Sequence, residues 1–110
     1  MDQVTESLIN NVLILYNNTI VELCRQITNL DKRINVNYAR IRFLIEYRDN
    51  VVEDEERKEI ANQDIDQLRN EKNELEDRAH ELCGQMIEVY CFRDHHISDI
   101  LRMNLDQNEQ

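Results

Sequence analysis

The stretch from Ile20 to Ile34, IVELCRQITNLDKRI, decides the reading of this chain. Within it Ile20, Leu23, Ile27, Leu30 and Ile34 follow one another at alternating steps of three and four residues. Such steps hold an apolar stripe on one side of an α-helix and form the seam of a coiled coil. A half-buried strand would need alternation with a period of two. Working outward, the steps continue through Tyr16, Leu13 and Ile9 toward the N-terminus, and through Asn37, Ile41 and Leu44 toward the C-terminus. One polar residue, Asn37, interrupts the stripe.

A second seam runs through Ala61, Ile65, Leu68, Lys72, Leu75, Ala79, Leu82, Met86 and Val89. Continued past Leu44, the first seam falls on Arg48, Val51 and Glu55. Traced backwards, the second falls on Lys58 and Asp54. The two phases differ by three residues, so either one long helix is overwound there or the chain turns. Local chemistry favours a turn: Asn50 followed by Glu53 resembles a capping box. Glu53, Asp54, Glu55 and Glu56 then crowd a first helical turn, where the helix dipole favours anions, while Arg42 and Arg48 suit the end of the helix before it.

Composition agrees with long helices. The chain has 110 residues, no proline, one glycine and no tryptophan, and a third of its residues are charged. Proline and glycine punctuate turns and helix ends, so a chain nearly free of both has few sharp loops. The expected fold is all-α, a single domain over residues 1–110. It is a long antiparallel helical hairpin, a coiled coil, with helix 1 over about 4–48, a turn over about 49–52, helix 2 over about 53–105, and a frayed tail over 106–110.

Folding the chain at residue 51 places position i opposite 102 − i. Ile41 then meets Ala61, Ile34 meets Leu68, Ile27 meets Leu75, Leu23 meets Ala79 and Ile20 meets Leu82. Flanking charges agree, with Arg33 facing Glu71, Arg40 facing Asp64 and Asp31 facing Arg69. Sliding by a heptad brings Arg33 beside Arg78 or Arg40 beside Arg57. Each such pair is worth only ~0–1 kcal/mol and therefore selects register more than it stabilises. Asn37 and Lys72 occupy seam positions, where buried polar groups cost stability and can specify register and oligomeric state. Snorkelling at an imperfect seam is the plainer reading of both.

A two-helix stem is thin, and apolar residues outside the seam are concentrated toward its open end. In helix 1 these are Val4, Leu8, Val12, Leu15, Val21 and Cys24; in helix 2 they are Cys83, Ile87, Tyr90, Phe92, Ile97 and Leu101. Stripes wider than one facing helix covers are the pattern of a bundle. The hairpin is therefore expected to oligomerise into a four-helix bundle at its open end, as a homodimer or a hetero-oligomer joined through helices. A smaller cluster near the turn, Val36, Tyr38, Phe43, Ile45 and Tyr47, is either a second docking site or cover for the loop end.

The net charge is −10. Residues 1–49 carry six acidic and six basic groups, whereas residues 50–110 carry seventeen acidic and seven basic, so the whole excess lies in the second half. Nucleic acid and anionic membrane surfaces are poor partners for it. No apolar stretch approaches the ~18 residues that span a bilayer, and membrane insertion is not expected. The N-terminus lacks a signal-peptide pattern, and three cysteines make an odd count, so the thiols are read as reduced in a cytoplasmic or nuclear protein.

Cys91 and His95 share a helical face, and His80 and Cys83 form another such pair. Zinc takes four ligands in a tetrahedron, and these pairs lie more than two helical turns apart, so one helix does not bring them to one metal. No metal, cofactor or catalytic group is expected, and no nucleophile–base constellation or phosphate-binding loop is present. The architecture resembles that of small helical subunits of multi-protein assemblies. The expected function is a non-enzymatic structural or adaptor subunit mediating protein–protein assembly. The alternative is a regulatory module that reversibly captures a helical or basic segment of a client protein.

Overall fold

A computed structural model describes the backbone of residues 2–109 and the side chains of residues 2–106. Two helices account for nearly all of it: α1, Gln3–Asn50, and α2, Glu55–Glu109. No strand is present among the described residues. α2 continues past the expected tail boundary at 105 because no glycine or proline follows Gly84 to end it. Gln110 lies outside the described residues.

Each helix begins on an aspartate. Asp2 Oδ1 accepts the Thr5 amide at 2.7 Å, and the Asp2 carbonyl accepts Glu6 N–H at 3.1 Å. These contacts satisfy donors that the first helical turn leaves free. The Thr5 amide, ahead of the other causes, holds the Asp2 carboxyl below its ordinary range. At the turn, Asp54 Oδ1 accepts Glu56 N–H at 3.0 Å, and the Asp54 carbonyl accepts Lys58 N–H at 3.1 Å. The cap of the second helix is thus Asp54 and not Asn50, which remains within α1. The Tyr47 carbonyl takes both Val51 N–H and Val52 N–H, closing α1. Val52 turns inward and is buried.

The two helices form two compact units. One joins α1 up to Gln26 with α2 from Leu82 onward; the other contains residues 27–81, including the turn. In each unit the helices run antiparallel, and every expected seam residue is buried or half-buried. Ile20, Leu23 and Leu82 are buried in the first unit, and Ile34, Ile41, Ala61 and Ile65 in the second. The interior is one side chain deep: among the large side chains of the described residues only Ile65 is fully enclosed.

The register differs from 102 − i. In the first unit Thr5 meets Asn104, Asn17 meets Arg93 and Cys24 meets Met86. In the second Tyr38 meets Lys72 and Arg48 meets Asn62. These contacts place position i across from 109 − i or 110 − i, about one heptad from the expected pairing. A seam that repeats every seven residues looks the same after a slide of seven, so periodicity alone does not separate these registers. The pivot is decided by α1 reaching Asn50 and by the four-residue connection that follows. The flanking pairs expected at 102 − i, Arg33–Glu71, Arg40–Asp64 and Asp31–Arg69, are accordingly absent. All eight ion pairs among the described residues lie within a single helix.

The observed register gathers polar seam residues together. Asn37, which is buried, lies across from Lys72 rather than Ile65. Lys72 Nζ donates to the Tyr38 hydroxyl at 3.4 Å and to Glu76 Oε1 at 3.5 Å, and it sits 4.6 Å from the Tyr38 ring centroid. The Tyr38 contact, opposed by desolvation and helped by Glu76, raises the Lys72 pKa. At 102 − i, Asn37 and Lys72 would each face an apolar residue. We expect Asp54→Ala to cost about 0.5–2 kcal/mol in denaturant unfolding and Asn50→Ala less than about 0.5 kcal/mol. The double replacement Asn37→Leu with Lys72→Leu should raise the unfolding midpoint. Distances between paired spin labels in it should broaden into more than one register.

Candidate protein-interaction surface

The first unit leaves much of its apolar surface uncovered. Val4, Leu8, Leu15, Val21, Cys24, Ile87, Tyr90 and Phe92, all expected at a partner interface, are exposed. Cys83, Ile97 and Leu101 are half-buried. Val12 is different: only 7% of it is exposed, so it belongs to the seam and not to the free surface. The reason is drift. A helix of 3.6 residues per turn rotates relative to a strict 3.5-residue repeat, so the buried stripe wanders around the helix. Toward the N-terminus the stripe passes through Thr5, Ile9, Val12 and Tyr16, leaving Leu13 half-buried.

Thr5 closes this end of the seam. It is buried, and its hydroxyl donates to Asn104 Oδ1 at 3.0 Å. Further in, Tyr16 meets His96 edge-to-face with ring centroids 6.0 Å apart. Arg93, an inward-pointing cation, donates to Asn17 Oδ1 at 3.1 Å and lies 4.9 Å from the Tyr90 ring centroid. The guanidinium is thus held by an amide, the neighbouring Asp94 and an aromatic face.

Ile14 and Val21 stand one heptad apart and share a side of α1 with Cys24. Ile87 shares a side of α2 with Cys83 and Tyr90 through steps of four and three. The Cys24 thiol touches the Met86 sulfur at 3.4 Å, so these two faces flank the same edge of the seam. Ile14, Val21, Ile87 and Phe92 are each more than 60% exposed. Covering them would return roughly 1–2 kcal/mol apiece. Ile14, Met103 and Leu105 are exposed as well, and the sequence reading did not include them. Ile14 was hidden inside the apolar run 12–16, where the heptad phase alone shows it to be off the seam.

Beside Val21 the surface is charged. Glu22 accepts from Arg25 Nε and from Gln26, both at 3.0 Å. Arg25 is the larger cause, and the carboxyl is held down to about 2. A depressed carboxylate contributes stability above its unfolded pKa and loses it as pH falls through the folded value. The same contact raises Arg25.

The chemistry-bearing side chains do not converge. His95 is exposed and approaches Asp99 at 3.6 Å, and Arg102 pairs with the same carboxylate. Cys91 is exposed and Cys83 half-buried, neither in a disulfide. Among the described residues no group of three or more His, Cys, Asp or Glu side chains is placed to hold a metal ion. Nor is any helix among them long and apolar enough to cross a membrane.

In a carbon-detected NMR titration the Glu22 carboxyl should remain ionised to about pH 2, and in Arg25→Ala its midpoint should rise toward the ordinary value of 4.5. Tyr38→Phe should lower the Lys72 midpoint by removing the hydroxyl acceptor. No family model matches the chain, and neither the curated proteins nor the solved structures contain a match to it.

Proposed function

We propose that this chain is a non-enzymatic structural or adaptor subunit that joins other proteins by helix packing. The supporting observation is the exposed apolar edge of the first unit, formed by Ile14, Val21 and Cys24 of α1 beside Ile87 and Tyr90 of α2. A pair of helices with a core one side chain deep gains most by receiving further helices on such an edge, which makes a four-helix bundle. Contiguous apolar surface of this kind marks interaction sites on proteins. The partner is a protein that supplies amphipathic helices. An acidic chain of net charge −10 does not attract nucleic acid.

A second reading rests on the acidic excess of residues 50–110. A basic segment of a client would be drawn to α2 and released by salt, making the chain a reversible regulatory module. The two readings separate in one experiment. Tagged full-length chain purified from its own cells should bring down stoichiometric partners that survive washing with about 0.5 M salt, where surface charges are screened. Val21→Asp with Ile87→Asp should abolish that association and leave helical circular dichroism unchanged, because both side chains are already exposed. Partners that persist in the double variant would overturn the assembly reading, and partners lost to salt alone would favour the regulatory one.

A further inference from the structure

The second unit has an interaction surface that the assembly reading does not use. On the side of the helix pair away from Tyr38 and Glu76, adjoining hollows run along the seam. The central one, about 480 Å³, is lined by Val36, Ala39, Arg40, Phe43, Leu44 and Leu68. A neighbour of about 500 Å³ shares Val36 and Arg40 with it and continues between Lys32 and Arg33 on α1 and Glu71 and Glu74 on α2. A smaller one, about 140 Å³, shares Leu44 and continues between Tyr47 on α1 and Asp64 on α2. Phe43 is 66% exposed and stacks on Tyr47 with ring centroids 6.4 Å apart and planes within 12°. The groove therefore has an aromatic anchor already in place.

Charge is divided across this groove. The α1 rim carries Lys32, Arg33 and Arg40; the α2 rim carries Asp64, Glu71 and Glu74, with Arg57 a cation on the same rim at the turn end. No ion pair among the described residues joins one rim to the other. A helix of uniform charge laid in the groove would match one rim and repel the other. A second copy of this chain carries both rims at the matching spacing. A two-fold axis parallel to the helices lays α1 of one copy on α2 of the other, setting each cationic rim against an anionic one. An axis across the helices would instead lay α1 on α1 and set like charges together. Charge complementarity therefore selects both the occupant and its orientation, in a closed two-fold arrangement.

We propose that the groove centred on Phe43 is a homodimer interface, occupied by a second copy with α1 of each chain against α2 of the other. The proposal goes beyond the assembly reading and is carried by different residues.

The test is light scattering of the purified full-length chain across a concentration series, with circular dichroism on every variant. Wild type should be a dimer. Phe43→Asp, at a side chain exposed within one copy, should keep its helicity and weaken the dimer roughly tenfold or more, as truncating an aromatic anchor does. Arg33→Glu with Arg40→Glu should also weaken it, and adding Glu71→Arg with Glu74→Arg should restore it. A monomer at every concentration, folded or not, would sink the proposal. So would a dimer indifferent to Phe43→Asp, or one that the exchanged rims fail to restore. A dimer lost only in Val21→Asp with Ile87→Asp would move self-association to the first unit, overturning this proposal while leaving the assembly reading in place.

Discussion

Two helices can hide from water only the side chains that point directly at each other. In this chain that stripe is one side chain deep, and everything else about the molecule follows from its narrowness. Ile20, Leu23, Ile34, Ile41, Ile65 and Leu82 reach burial, whereas their seam neighbours Tyr16, Ile27, Leu30, Leu68 and Leu75 stay partly open. Hydrophobic stabilisation scales with the area removed from water, and ordering a helical residue costs about 1–2 kcal/mol in backbone entropy. A seam of this width leaves apolar flanks on both sides that further helices can cover. The exposed residues of the first unit and the Phe43 groove of the second are the two places where those flanks are most apolar.

Charge has a separate role from burial here. The ion pairs are intrahelical, most of them at steps of three or four residues, as in Glu22–Arg25, Lys72–Glu76 and Arg78–Glu81. Pairs of this kind support each helix by a few tenths of a kcal/mol. They leave the cations of α1 and the acids of α2 beside the groove without partners across it. The seam therefore holds the helices together, and the charges beside it discriminate among what lies next to them.

The helices themselves were legible in the sequence because a period of three and four residues admits no other element. Seam membership was legible for the same reason, from Tyr16 to Leu44 and from Ala61 to Val89. The register was not. Every layer of a heptad repeat resembles the layer seven residues away, and flanking charges that looked complementary at 102 − i proved weaker than the geometry of the turn. A better signal lay in the polar seam residues: the observed pairing sets Asn37 across from Lys72, so that two polar groups share one layer and spare two apolar ones. The cap was misplaced for a related reason. Both Asn50 and Asp54 precede acidic residues, and only the connection between the helices shows which one starts α2.

Among the candidate surface residues, the distinction between seam and flank matches exposure at eight positions and blurs at Cys83, Ile97 and Leu101, which are half-buried. It failed at Val12, where the drift of a 3.6-residue turn against a 3.5-residue repeat carried the buried stripe one position aside, and it overlooked Ile14 within a run of apolar residues. By itself the sequence determined two long helices, an apolar stripe along each and the location of the surplus apolar residues, since these depend only on local spacing. The tertiary structure alone decided which layers meet, which aspartate caps α2 and which flanks stay open. Those depend on the length of the turn and on how two helices rotate against each other, and a seven-residue repeat records neither.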